Sequence, residues 1–323
     1  MLDTYWITSI KKPSYYNDIS NQLEPNLKSI KYNERMSCEC YDWYFNIQNN
    51  AIALDIEGSK SKNFDTVVSE WYIKDCFRQY KQVYILNDNL YKRLILTKNI
   101  NEISFEVLKK LPFNSFYIDS DSCNIYEQGY KVNGLFVSIE NYTINGVLYN
   151  NLMLILRINK ELIPLRIDLL KSQSIEQAIN NTWSNGTYFN NDSLKKVFID
   201  FFQVVLYMCC DKTDIIKVVQ HKPNYKKGKK IKSKTNPITY SRLGFTIGKT
   251  FSNTETKYVS VENSNSNTKG SPKSPHFRRP HWAIYHVGKD RAETILKWID
   301  LIFVNNYSSK DEDNKPITLH NMR

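Results

Sequence analysis

The sequence predicts an α+β protein: an antiparallel β-meander packed against a few helices, with a C-terminal β-hairpin returning to the sheet. Three observations carry that expectation. Between Phe116 and Asp168 the apolar residues fall on a period of two, punctuated by Gln128-Gly129, Asn133-Gly134 and Asn145-Gly146, and Asn-Gly between apolar runs is a strong hairpin signal. Residues 64–80 and 192–210 instead carry apolar side chains every three to four positions, the period of a helix that buries a face. Late in the chain, Trp282–Val287 and Thr294–Val304 read as two strands around Gly288.

Taken in order, residues 1–62 are tyrosine-rich and weakly periodic, interrupted by Pro13 and Pro25, with short helices expected over 33–48. Phe64, Val67, Val68, Trp71, Tyr72, Cys76 and Phe77 then line one stripe of a helix whose acidic residues lie early and basic residues late, matching the helix dipole. Residues 83–97 read as helix followed by strand, and Ser104–Lys110 as a short helix stopped at Leu111-Pro112. The meander of four or five strands occupies 116–168, with Pro164 placing the last of them at an edge. Asp119 and Asp121 are read as turn-forming carboxylates rather than a metal or acid–base pair. A capping box at Ser174–Gln177 opens one helix, and Asp192-Ser193 opens the most hydrophobic one, which includes Cys209 and is expected at the centre of the core. A strand is expected at Ile238–Ile247, between two stretches of low apolar content.

The 323 residues, 41% apolar and 13% aromatic, are ample for a core and divide into five regions. These are a mainly helical 1–115, the meander with its hydrophobic helix over 116–218, a basic and partly disordered 219–274 with one strand, a signature hairpin at 275–306, and a tail from 307. Six cysteines without a C-x-x-C argue against structural zinc, and their scatter through apolar stretches suits unpaired thiols in a reducing compartment. No secretory leader is read at the start and no apolar run approaches the ~20 residues of a membrane span, so the expected location is cytoplasmic. Gly248-Lys249-Thr250 lacks the glycine that a phosphate loop places five residues earlier, where Leu243 stands, and no cofactor or metal is expected.

Charge singles out the last third. From His221 to Arg291 sixteen lysines and arginines face three carboxylates, a net +13, which leaves −2 for the rest of a chain of net charge +11. That asymmetry points to a polyanion, most simply nucleic acid, although a solvated lysine loop would look the same. Within the region, His276, Phe277, Arg278, Arg279, His281, Trp282 and Tyr285 crowd guanidinium, imidazole and ring groups between Pro275 and Gly288. Those are the groups that hold phosphates and stack on bases. Together with Lys226, Lys227, Lys229 and Lys230 they are the candidate nucleic-acid-binding residues. An alternative is a metal-independent ribonuclease, with His276 and His281 as general base and acid and Arg278 and Arg279 stabilising the phosphorane. Five-residue spacing puts two strand residues on opposite faces, so that chemistry requires a turn at Pro280. A DNA-binding regulator is a further alternative, without a recognition motif to support it.

The pattern Pro275-His276-x-Arg278-Arg279-x-His281-Trp282-x-x-Tyr285-x-x-Gly288, then Trp298 and Val304-Asn305, resembles the C-terminal signature of a family carried by phages and plasmids. This is the second-described anti-CRISPR family of the type V-A group. Leu111-Pro112 leading into Phe116–Asp119, and the hydrophobic helix leading to Asp214-Ile215, resemble the family in the same order. One departure is that the family places proline after the equivalent of Trp298, where Asp300 and Leu301 stand here. The resemblance implies an antagonist of CRISPR immunity that does not block the nuclease directly and acts in the cytoplasm of the bacterial host. It would lower production of the effector nuclease at its mRNA, recognising the nascent N-terminal peptide while contacting RNA or the ribosome. The peptide would meet an exposed edge of the meander or a groove beside helix 64–80, and the cationic third would meet RNA.

Overall fold

In chain order, α1 (Tyr5–Ser9), α2 (Tyr15–Leu27), β1 (Ile30–Tyr32), α3 (Tyr41–Ala53) and α4 (Phe64–Tyr80) precede the first central strand, β2 (Gln82–Leu86). The computed structural model describes residues 5–27, 30–32, 41–59, 63–98, 100, 103–144, 146–169, 174–185, 191–218, 237–247, 276–300 and 302–304. Helix α4 forms where the apolar stripe predicts it. Asn63 caps it, its side-chain oxygen accepting the N–H groups of Asp65 at 3.0 Å and Thr66 at 3.4 Å. Lys81 closes it in the left-handed region at φ 48°. The stripe residues Val68, Trp71, Tyr72, Cys76 and Phe77 are all buried. Cys76 is disulfide-bonded, whereas Cys123, Cys209 and Cys210 are free, which corrects the expectation that every thiol is unpaired.

Next come β2, α5 (Asp88–Leu94), a 3-10 helix over Phe105–Lys110 and β3 (Ser115–Asp119). Over 83–97 the order is strand then helix, the reverse of the sequence expectation. Asn87 decides it, because its side chain accepts from Asn89 N at 3.0 Å and Leu90 N at 3.1 Å and so starts the helix after the strand. The meander follows as β4 (Tyr126–Glu127), β5 (Tyr130–Ile144), β6 (Val147–Ile158) and β7 (Glu161–Asp168), and then α6 (Ile175–Asn185) and α7 (Asp192–Met208). Gln128 and Gly129 turn at φ 47° and 83°, as a tight hairpin turn requires. The Asp121 N–H donates to Asp119 Oδ1 at 3.1 Å, the Asx turn expected of that pair.

Asn133-Gly134, read as a turn, lies inside β5 at a register shift between Val132 and Gly134. A Cβ on Gly134 would collide with the Ile118 carbonyl oxygen and the Tyr117 ring, so glycine is there for close backbone approach. Gly134→Ala is expected to lower stability by about 1–3 kcal/mol, read as a shift of the urea midpoint. An unchanged midpoint would refute the close approach.

The last elements are β8 (Ile215–Lys217), β9 (Thr239–Leu243), β10 (His276–Arg278), β11 (His281–Val287), β12 (Glu293–Ile299) and β13 (Ile302–Val304). Among the described residues the main sheet runs β7-β6-β5-β3-β2-β9-β8, with β1 and β4 pairing on β5. The meander half is antiparallel, with β7 at the edge as Pro164 predicts. The β3-β2 and β2-β9 pairs are parallel, so the chain crosses over before β3 and again before β9. Two cores flank this sheet. One packs α1–α4 against Val83, Tyr117, Phe136, Met153 and Ile155. The other packs α5, α6 and α7 against Phe116, Ile118, Leu135, Leu154 and Leu156. The most hydrophobic helix is central, as expected: Phe198, Phe201, Phe202, Val205 and Leu206 are fully buried.

Candidate nucleic-acid interface

The signature residues form a long antiparallel hairpin in two parts. Strand β10 pairs with β13, matching His276 to Val304, Phe277 to Phe303 and Arg278 to Ile302. Strand β11 pairs with β12, from His281 opposite Ile299 to Val287 opposite Glu293. Between the parts, at Arg279-Pro280, the backbone leaves its partner and meets another. Lys98 N donates to the Pro280 carbonyl at 3.3 Å, and Trp282 N to that of Lys98 at 3.5 Å. Asp300 stands at the corresponding break between β12 and β13.

Alternation along β11 and β12 sorts the side chains into two faces. Trp282, Ile284, Leu296 and Trp298 share the inner one. The Trp282 ring is only 4% exposed, and its Nε1–H donates to Gln203 Oε1 of α7 at 2.6 Å. Trp298 Nε1–H donates to Thr97 Oγ1 at 3.0 Å and its ring meets Tyr207 of α7 edge-on at 5.6 Å. The hairpin therefore reaches the core through α7 and the 94–98 segment, and its strands form a sheet of their own. This corrects the reading of Trp282 as a base-stacking ring: it is an anchor.

The outer face carries the groups left free to meet a ligand. Tyr285 is 44% exposed and Lys297 Nζ lies 4.8 Å from its ring centroid. His281 shares that face, partly exposed, with Nδ1 3.3 Å from the Arg279 carbonyl oxygen. Arg279 is partly exposed at the break. For His276, Phe277 and Arg278 the backbone pairing is described and the side chains lie outside the described residues, as do Lys226, Lys227, Lys229 and Lys230 altogether. Sequence reading missed Lys297, and the missed signal was the period of two. His281, Ala283 and Tyr285 alternate with Trp282 and Ile284, and Lys297 falls opposite Ala283.

Among the described residues, no group of three His, Cys, Asp or Glu side chains could hold a metal ion. Burial pushes the Cys123 and Cys210 thiols up to about 12, which leaves them as thiols rather than nucleophilic thiolates. No described helix is long and apolar enough to cross a membrane. What the outer face offers is a ring capped by a cation, with the His281 imidazole farther along the same face; ring and cation together can stack a base and hold a phosphate.

The sheet flanked by helical layers and the anchored signature hairpin define a known class. A profile of the AcrVA2-like group, the anti-CRISPR type V subtype A2 family, matches residues 84–306, from β2 through β13, and the chain belongs to that family. Its fold is similar to the crystal structure of AcrVA2, with a TM-score of 0.55 over 90% of this chain and 92% of that one. The two sequences are 17% identical, a level at which the likeness establishes the fold alone. No curated protein sequence matches the chain.

Proposed function

We propose that this anti-CRISPR family member inhibits type V-A immunity by lowering production of the effector nuclease at its message. In this reading it binds the emerging N-terminal peptide of the effector and, through the cationic C-terminal third, RNA or the ribosome. It acts by binding rather than catalysis. The observation that carries the RNA half is the outer face of the hairpin, where Tyr285, Lys297 and His281 stand clear of the core while Trp282 and Trp298 hold the strands on α7. Family membership supports the target. The concentration of positive charge from His221 to Arg291 supports a polyanionic partner.

Purified protein is expected to bind a single-stranded RNA oligonucleotide with an affinity that falls steeply as salt rises. Replacing Tyr285 and Lys297 together with alanine should weaken that binding about tenfold or more, since one stacked base contributes ~1–3 kcal/mol. The melting temperature should be unchanged, because both side chains project from the outer face. A salt-independent affinity, or full affinity in the double variant, would remove this face from the mechanism. In cells, effector transcript and protein should both fall when the chain is expressed. A target recoded in its first codons to give a different peptide should escape.

A further inference from the structure

A cleft of about 350 Å³ opens where α4 ends, between the 3-10 helix, the 111–114 turn and the β5-β6 pair. We propose that it is a binding site for an extended, uncharged stretch of polypeptide with an apolar side chain. This deepens the reading above, on which it rests, by assigning the peptide to a place distinct from the hairpin.

The geometry follows from unequal strand lengths. Strand β3 begins at Ser115, opposite Ser138, while β5 continues to Ile144. Past Ser138 the chain beside β5 is first the 111–114 turn, whose Asn114 carbonyl accepts the Ile139 N–H at 2.8 Å, and then β1, which pairs with Tyr142–Ile144. In the gap between β3 and β1, Ile139 and Asn141 of β5 line the cleft. Its apolar walls come from Phe105, Leu108, Phe113 and Ile139, and Tyr80 closes one end with its ring 5.6 Å from that of Phe113. Three amides punctuate them. Asn141 and Asn150 stand directly opposite each other across β5-β6, and Asn114 joins them from the turn.

That composition selects among ligands. An amide side chain donates and accepts at once, as a peptide group does, so amides over an apolar floor match backbone and side chain of an extended segment together. The charged residues lining the cleft are Glu106 and Lys109, which pair with one another. The lining therefore carries no net positive charge to attract a phosphodiester. The cleft suits a polypeptide better than the RNA assigned to the outer hairpin face.

The test uses the full chain and synthetic peptides tiling the first few dozen residues of a type V-A effector nuclease, with affinity read by fluorescence anisotropy. Asn141→Leu with Asn150→Leu keeps the shape of the lining and removes its hydrogen-bonding groups. This variant should bind about tenfold more weakly. Leu169→Trp, which adds bulk to the lining, should lose at least as much. Both should melt within a few degrees of the parent, which separates lost binding from lost fold. Parent-like affinity in both variants would overturn the cleft while leaving peptide recognition standing. Displacement of the peptide by single-stranded RNA would overturn it in favour of a nucleotide site. Absence of binding by the parent to any of the peptides would overturn peptide recognition itself, and the proposal with it.

Discussion

Replacing Trp282 with alanine is expected to cost about 3–5 kcal/mol, the range for truncating a large buried ring. The indole is 4% exposed, sits in the same core as Leu296 and α7, and donates its N–H to Gln203, itself buried. Truncation leaves both a cavity and an amide oxygen without its donor, and the second loss adds to the first. Amide hydrogen exchange across 281–299 should accelerate in this variant well before the rest of the sheet loosens, because Trp282 and Trp298 are what hold the hairpin to α7. Trp282→Phe, which keeps most of the ring and loses the hydrogen bond, should fall between the variant and the parent. Tyr285→Ala, three residues away on the other face, should change stability by no more than about 0.5 kcal/mol. Equal denaturation midpoints for Trp282→Ala and Tyr285→Ala would refute the assignment of faces.

Arg166→Leu is the second large effect expected, about 3–5 kcal/mol, because it strands a buried charge. Glu140 on β5 is fully buried. It accepts the Tyr41 N–H at 2.8 Å and an Asn151 amide hydrogen at 3.3 Å, with Arg166 Nε 3.3 Å away. Arg166 also donates to Asp42 at 2.7 Å and so pins the start of α3 to the sheet. Burial raises the Glu140 pKa above the ordinary carboxylate value, and the Arg166 charge is the main influence pulling it back. Removing Arg166 lets the folded-state value rise further. A carboxyl group with a raised folded-state pKa binds its proton more tightly folded than unfolded, so its contribution is present at low pH and is lost as pH rises through that value. The stability gap between variant and parent should therefore be small below the usual carboxylate range and widen above it. Adding Glu140→Gln to Arg166→Leu should recover most of the loss at neutral pH. A pH-independent gap in guanidinium unfolding would contradict this account.

Local signals carried much of the architecture. The three-and-four spacing from Phe64 to Phe77 marked α4 with its stripe, and Gln128-Gly129 marked a tight turn. The capping box at Ser174 is formed, with Gln177 N donating to Ser174 Oγ at 3.3 Å. Errors arose where a local cue had a second meaning. Asn133-Gly134 has turn chemistry but is used for close approach inside a strand, and Asn87 is a cap that reverses the order of strand and helix around it. Crowding of ring and charge from His276 to Tyr285 treated the rings as equivalent, although consecutive strand residues point to opposite sides.

The sequence by itself therefore determined the element types, the antiparallel meander, the central hydrophobic helix, the uneven charge and the family signature, since each is written in neighbouring residues and their period. Tertiary structure alone decided that β2 runs parallel between β3 and β9, that Trp282 is an anchor while Tyr285 and Lys297 face outward, and that a cleft opens beside β5. Those features depend on partners far apart in the chain. Gln203 lies 79 residues from Trp282 and Thr97 lies 201 from Trp298, and no local pattern encodes which of two faces such distant groups will cover.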